Sequence, residues 1–294
     1  MSTNGFMDDR KMVQNAGKSI TGAKHFWRAA GYFVALAVVN LVAHGELGYI
    51  LAETLPSWLA TALESLVYLV GVVALTWAFC RFVDKSSLTQ LGLQRRGWLA
   101  KLAAGWGLGT FLILLVFGIL IGGGWLSVES SPWQALDLAA AALSAIVVGL
   151  NEELAFRGYI MQRLGKAWGV PLAVVGSSIL FGLVHVFNPN ASILGIVSVS
   201  LSGLFYSLAY LVTGSLWLPM GLHMSWNLVQ MHILGFPGSG HVGSSLLRSV
   251  THGPELVTGG AFGPEGGIVV IGITLISIAL LYVRYHTILT KTEP

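Results

Sequence analysis

From about residue 30 onward the chain consists of long apolar runs separated by short polar breaks. The runs fall near 30–51, 59–80, 102–121, 136–156, 170–187, 193–212, 216–232 and 267–285. Each approaches the roughly 17–25 apolar residues that a helix needs to cross a bilayer. The pattern predicts an all-α, polytopic membrane protein of about eight transmembrane helices. They form one domain over 30–285, with a polar segment 1–29 before it and a tail 286–294 after it.

The breaks differ in kind. The stretch "LTQLGLQRRGWLAKLAAGWG" between the second and third runs reads as an interfacial turn. The longest break, 235–267, is rich in Gly, Pro and Ser and reads as a loop on the outer side. His241 and His252 lie in it and read as solvated. Gly105/Gly109 and Gly118/Gly122 have the small-xxx-small spacing that lets membrane helices approach closely, and both read as packing.

Composition agrees: 54% of the residues are hydrophobic and only 10% charged, against about 25% charged in soluble domains. The net charge of +3 hides an asymmetry. Five Lys and Arg precede the first run (Arg10, Lys11, Lys18, Lys24, Arg28) and five surround the break after the second (Arg81, Lys85, Arg95, Arg96, Lys101). Three more follow the fourth run (Arg157, Arg163, Lys166), and two close the chain (Arg284, Lys291). Arg248 alone falls in the other set of breaks. Under the positive-inside rule both termini are cytoplasmic and the span count is even. The basic stretches are thus topology signals, and no nucleic-acid partner is expected. The first 25 residues carry no apolar core or cleavage site, so no removable signal peptide is expected. Such an N-terminus suits a bacterial plasma membrane. Cys80 is the only cysteine, which excludes disulfide frameworks and cysteine-based zinc sites.

Against this background six polar residues stand out in runs four to seven: Glu152, Glu153, Arg157, His185, His223 and Asn227. A charge inside the hydrocarbon costs several kcal/mol or more. Glu153 and Arg157 are one helical turn apart and can pair on one face as a structural clip. Glu152 points about 100° away and has no cation at helical spacing. The turn "GKAWGVP" is centred near residue 168, so Glu152 and His185 lie about 16 residues either side of it. In an antiparallel pair that puts them at equal depth, roughly 20 Å of helix from the turn. His223 and Asn227 share a face about two turns in from the cytoplasmic side. These groups can therefore meet in an intramembrane cavity open to the cytoplasm.

Glu152-Glu153-x-x-x-Arg157, Phe181-x-x-x-His185 and His223-x-x-x-Asn227 follow one another on apolar runs, with "GSLW" ahead of the last. Together they resemble the ordered motifs of the CAAX prenyl protease and bacteriocin-processing (CPBP, or Abi) family, which includes the type II CAAX prenyl endopeptidases. The resemblance covers residues 136–232. It implies an intramembrane glutamic endopeptidase in which Glu152 and His185 activate a water. His223 and Asn227 then stabilise the oxyanion, while Glu153, Arg157 and Phe181 support the site. The partners it implies are the bilayer and a peptide or protein substrate, prenylated or membrane-embedded.

The chemistry also stands on the residues. Peptide hydrolysis needs a nucleophile, a group to take its proton, and donors for the developing oxyanion. No cofactor is expected. The competing mechanism is a zinc peptidase, since two histidines and a carboxylate form a known catalytic zinc set, although helical HExxH spacing is absent. "HGE" at 44–46 begins like a deaminase motif but lacks the cysteines that site requires. A second competitor is a transporter, or a non-catalytic binding or immunity protein, because polar groups in a membrane cavity also serve ion pathways. Ser215, Ser225 and Cys80 are less suited as nucleophiles.

Overall fold

In the computed structural model, residues 19–291 are described. Arg10, Lys11 and Lys18 of the expected N-terminal segment, and the last three residues of the tail, lie outside the described residues. Seven helices among the described residues are long and apolar enough to cross a membrane. They are α1 (Gly22–Thr54), α2 (Ser57–Asp84), α3 (Trp98–Gly122), α4 (Ala135–Trp168), α5 (Val170–Phe187), α6 (Ile193–Thr213) and, last in the chain, α8 (Ile268–Lys291). The chain is an integral membrane protein with an all-α transmembrane domain.

The eighth expected span, 216–232, is shorter and more polar than the rest. It forms α7 (Trp217–Asn227), continued by a π-helical turn Leu228–Ile233. Its His223, Gln230 and His232 are buried. The helix packs against α3, α4 and α6 rather than facing lipid all round, so it has no need of a fully apolar surface. The glycine pairs divide accordingly. Gly105 and Gly109 lie against the α7 backbone at Leu218 and Leu222, whereas a Cβ at Gly118 or Gly122 would meet open space. The packing role read for the second pair is not what the structure has.

Several helices outrun their apolar windows. The window of α4 ends near residue 156, yet the helix continues to Trp168, with its buried Arg157 and Arg163 paired to acids and Lys166 exposed. Asp84 on α2 takes Arg28 of α1 at 2.9 Å and Arg163 of α4 at 3.5 Å, and the Tyr159 hydroxyl donates to it at 2.7 Å. This network clips three helices together at the basic end. Gly169 then turns the chain at φ +83, a conformation that favours glycine, and Pro171 sits in the first turn of α5.

Two segments read as irregular are built. The outer break contains a strand, β2 (Leu247–Thr251), paired antiparallel with β1 (Leu126–Ser130) in the break after α3. "LSVES" and "LRSVT" carry the β-branched and polar residues that suit a small ribbon. His252 is exposed, as read, and also pairs with Ser127 Oγ at 2.6 Å. The turn after α2, read as interfacial, is docked onto the helices. Leu91 is buried, the Gly92 carbonyl accepts the Leu216 N–H at 2.9 Å, and the Leu91 carbonyl accepts Gln162 Nε2 at 2.8 Å.

Candidate active site

Helix α4 changes from α-helical to π-helical geometry after Glu153, over Leu154–Ile160. Such insertions are rare and cluster at functional sites. One turn before the two glutamates, Gly149 lies against the backbone of Met224 in α7, where a Cβ would come within 2.8 Å of its nitrogen. A larger residue would hold the helices apart at the level where the carboxylates meet α7.

At that level Oε1 of Glu153 accepts two hydrogen bonds, from Arg157 Nη1 at 2.9 Å and from His223 Nδ1 at 3.0 Å. An ionised carboxylate only accepts, so Nδ1 carries a proton. The other ring nitrogen, Nε2, points at Glu152 Oε2, 3.7 Å away. One imidazole therefore bridges two adjacent carboxylates. Their settings differ: the Glu153 side chain is fully buried, while that of Glu152 is 20% exposed. Glu153 is thus more than half of a clip with Arg157, because it also sets the orientation of His223.

Aromatic rings fix the cluster from two sides. Tyr206 of α6 stacks on His223 with centroids 4.8 Å apart and planes 17° apart. Phe181 of α5 lies 5.0 Å from the His185 ring and 6.1 Å from the His223 ring, with the Arg157 guanidinium 4.3 Å above it. Arg157 also donates to the Gly203 carbonyl of α6 at 2.9 Å. Its charge therefore joins α4, α5 and α6 by an ion pair, a cation–π contact and a hydrogen bond.

His185 ends α5, and its Nδ1 donates to the Phe181 carbonyl at 2.7 Å, which leaves Nε2 as the nitrogen with a free lone pair. It reaches the cluster through the Phe181 ring. Asn227 is one turn beyond His223 on α7, half-buried, and its amide bonds to no other described residue. The structure therefore brings Glu152, Glu153, Arg157, Phe181 and His223 into direct contact, with His185 against Phe181.

Other residues border the cluster without any signal in their spacing. Tyr206 lies in none of the three motifs. His44 of α1 lies in a π-helical turn, Leu41–Leu47. Its Nδ1 is 2.6 Å from Glu64 of α2, with Tyr68 edge-on at 4.6 Å. Tyr68 is within electrostatic reach of Glu152. On the His185 side the neighbour is the outer segment. Asn188 Nδ2 donates to the Ser239 carbonyl at 3.0 Å, and the exposed His241 lies within electrostatic reach of His185, His44 and Glu152. Buried Glu265 anchors this turn, accepting Gln230 Nε2 at 2.7 Å and the Ser239 N–H at 3.3 Å. Among the described residues no three His, Cys, Asp or Glu side chains are grouped to hold a metal ion.

Residues 132–229, about a third of the chain, match the Rce1-like family model, described as type II CAAX prenyl endopeptidase Rce1-like. The match contains all three motifs and bears out the resemblance read from them. The uncharacterized protein YyaK of Bacillus subtilis (strain 168) is 30% identical over 122 residues. That stretch is 40% of this chain and spans 40% of that relative's length. No solved structure matches.

Proposed function

We propose that the protein is an intramembrane endopeptidase, related to the CAAX prenyl endopeptidases, that hydrolyses a peptide bond with a water activated by Glu152 and His185. The observation that carries this reading is the position of His223 between Glu153 and Glu152. A buried, arginine-neutralised carboxylate orients the imidazole, as a carboxylate does for histidine in other hydrolases. The more exposed Glu152 is left free to exchange a proton. Glu152 takes a proton from water as the oxygen attacks the peptide carbonyl, then returns it to the leaving amine. His223, held in place by Glu153 through Nδ1, presents its Nε2 side to the developing oxyanion. The Asn227 amide, which no other group engages, supplies a second donor.

The substrate is a peptide segment held at the membrane, with prenylated C-terminal peptides the first class to test. No metal is required in this scheme, and both termini are cytoplasmic. The test is cleavage by purified protein in detergent, offered prenylated and unprenylated CAAX peptides and candidate membrane proteins, with new amine termini sequenced. Parent protein is expected to create a new terminus, and Glu152→Gln, which keeps shape but cannot serve as the base, to lose about 10²–10⁴-fold in rate. Equal rates for parent and Glu152→Gln would remove the glutamate from the role of base. No cleavage of any substrate, with binding intact, would favour a non-catalytic binding or transport function.

A further inference from the structure

Away from the polar cluster, α1, α4 and α5 enclose an apolar groove of about 340 Å³, within the range of small-molecule pockets, roughly 300–1,000 Å³. Phe26 and Phe33 of α1, Leu164 and Trp168 of α4, and Leu180 and Leu183 of α5 line it. It runs from the aromatic pair Phe26 and Trp168, whose rings are 5.3 Å apart, to a point one turn from Phe181 and His185.

The aromatic end is also the charged end. Arg28, Arg163 and Lys166 lie within electrostatic reach of one another, and Asp84 is the acid among them. Asp84 is taken by Arg28 and Arg163. Lys166 is exposed and has no carboxylate partner among the described residues. His25, one residue before Phe26, has its Nδ1 buried without a hydrogen-bond partner. Three cations against one carboxylate leave an uncompensated positive site at the mouth of a hydrocarbon-lined recess. An amphiphile with an anionic head and an apolar chain satisfies both at once. Basic pockets between membrane helices recognise acidic lipid head groups by this combination, and the aromatic rings sit where interfacial Trp residues are enriched.

We propose that this groove binds an anionic glycerophospholipid, with one acyl chain lying between α1, α4 and α5 and the phosphate at Lys166 beside His25. The site is separate from the peptidase cluster and does not depend on it. A bound chain would lie along the same turn of α5 as Phe181.

The test uses the full chain in nanodiscs containing equal amounts of phosphatidylglycerol and phosphatidylcholine, followed by native mass spectrometry of the lipid retained after transfer to detergent. The parent protein is expected to retain phosphatidylglycerol in preference. Lys166→Gln is expected to reduce that preference roughly fivefold, the effect of about one Lys charge near an anionic surface. Gly176→Leu puts a side chain into the groove, where a Cβ meets only the Trp168 ring at 3.5 Å. It is expected to reduce retention of both lipids while the melting temperature stays near that of the parent. Equal retention of the two lipids by the parent would overturn the proposal, as would unchanged retention in a folded Gly176→Leu protein. Should Gly176→Leu not fold, Ala30→Leu on the opposite wall replaces it with the same expected outcome.

Discussion

The Nδ1 of His223 lies 3.0 Å from Oε1 of Glu153. This contact joins two helices whose chain positions are 70 residues apart. It turns a locally paired glutamate into the group that aims an imidazole at its neighbour, Glu152.

Because that carboxylate is fully buried with Arg157, removing either partner leaves an uncompensated charge. Glu153→Ala and Arg157→Ala are each expected to cost about 3–5 kcal/mol. The double variant should cost less than the sum, with a coupling of roughly 0.5–3 kcal/mol. Denaturant unfolding in detergent measures all three. Additive costs would mean that the pair is not energetically coupled.

Asn227 offers a cleaner separation of stability from chemistry. Its amide bonds to no other described residue, so Asn227→Ala is expected to leave the melting temperature unchanged. Loss of one oxyanion donor should lower kcat about 10²–10³-fold with little change in KM. A matching fall in melting temperature would make Asn227 a structural residue.

Glu265 gives the outer segment a pH dependence. Burial holds its carboxyl above the ordinary value of 4.5, partly offset by the hydrogen bonds from Gln230 and Ser239. Between the ordinary and the raised value, the folded state keeps a proton that the unfolded state releases. Stability from this group is therefore full below about 4.5 and declines as pH rises through the folded value. Amide protection around residues 237–241, corrected for the intrinsic rise of exchange with pH, should fall across that interval in the parent and stay constant in Glu265→Gln. Equal profiles for the two proteins would remove Glu265 as the cause.

Metal dependence separates the two hydrolytic mechanisms. Cleavage is expected to survive exhaustive chelation, because the proposed activation of water by Glu152 and His185 involves no Lewis acid. Activity lost on chelation and restored by zinc would instead assign His185, His223 and Glu152 as ligands.

The helices were legible because hydrocarbon demands a long, nearly uninterrupted apolar run, and such a run is visible one residue at a time. Helix α5 occupies residues 170–187 as expected, since Gly169 and Pro171 mark its start. The polar motifs were legible for the complementary reason, that charges are costly in that medium and stand out. Helix α7 was less so, because its neighbours satisfy the polar groups that keep it from looking like a membrane span. The β1–β2 ribbon was hidden as well, since its two strands lie more than a hundred residues apart and each is too short to signal alone.

The sequence by itself determined that the chain is a helical membrane protein, and it singled out the carboxylates, imidazoles and amide proposed to carry its chemistry. Those facts follow from composition and local spacing. Only the tertiary structure decided that His223 faces both glutamates, that Tyr206 and Phe181 wall the cluster, and that the outer segment borders His185. Each of these depends on where separate helices touch. Close approach at Gly149 and the shared charge of Arg157 set those contacts, and neither can be read from the periodicity of a single helix.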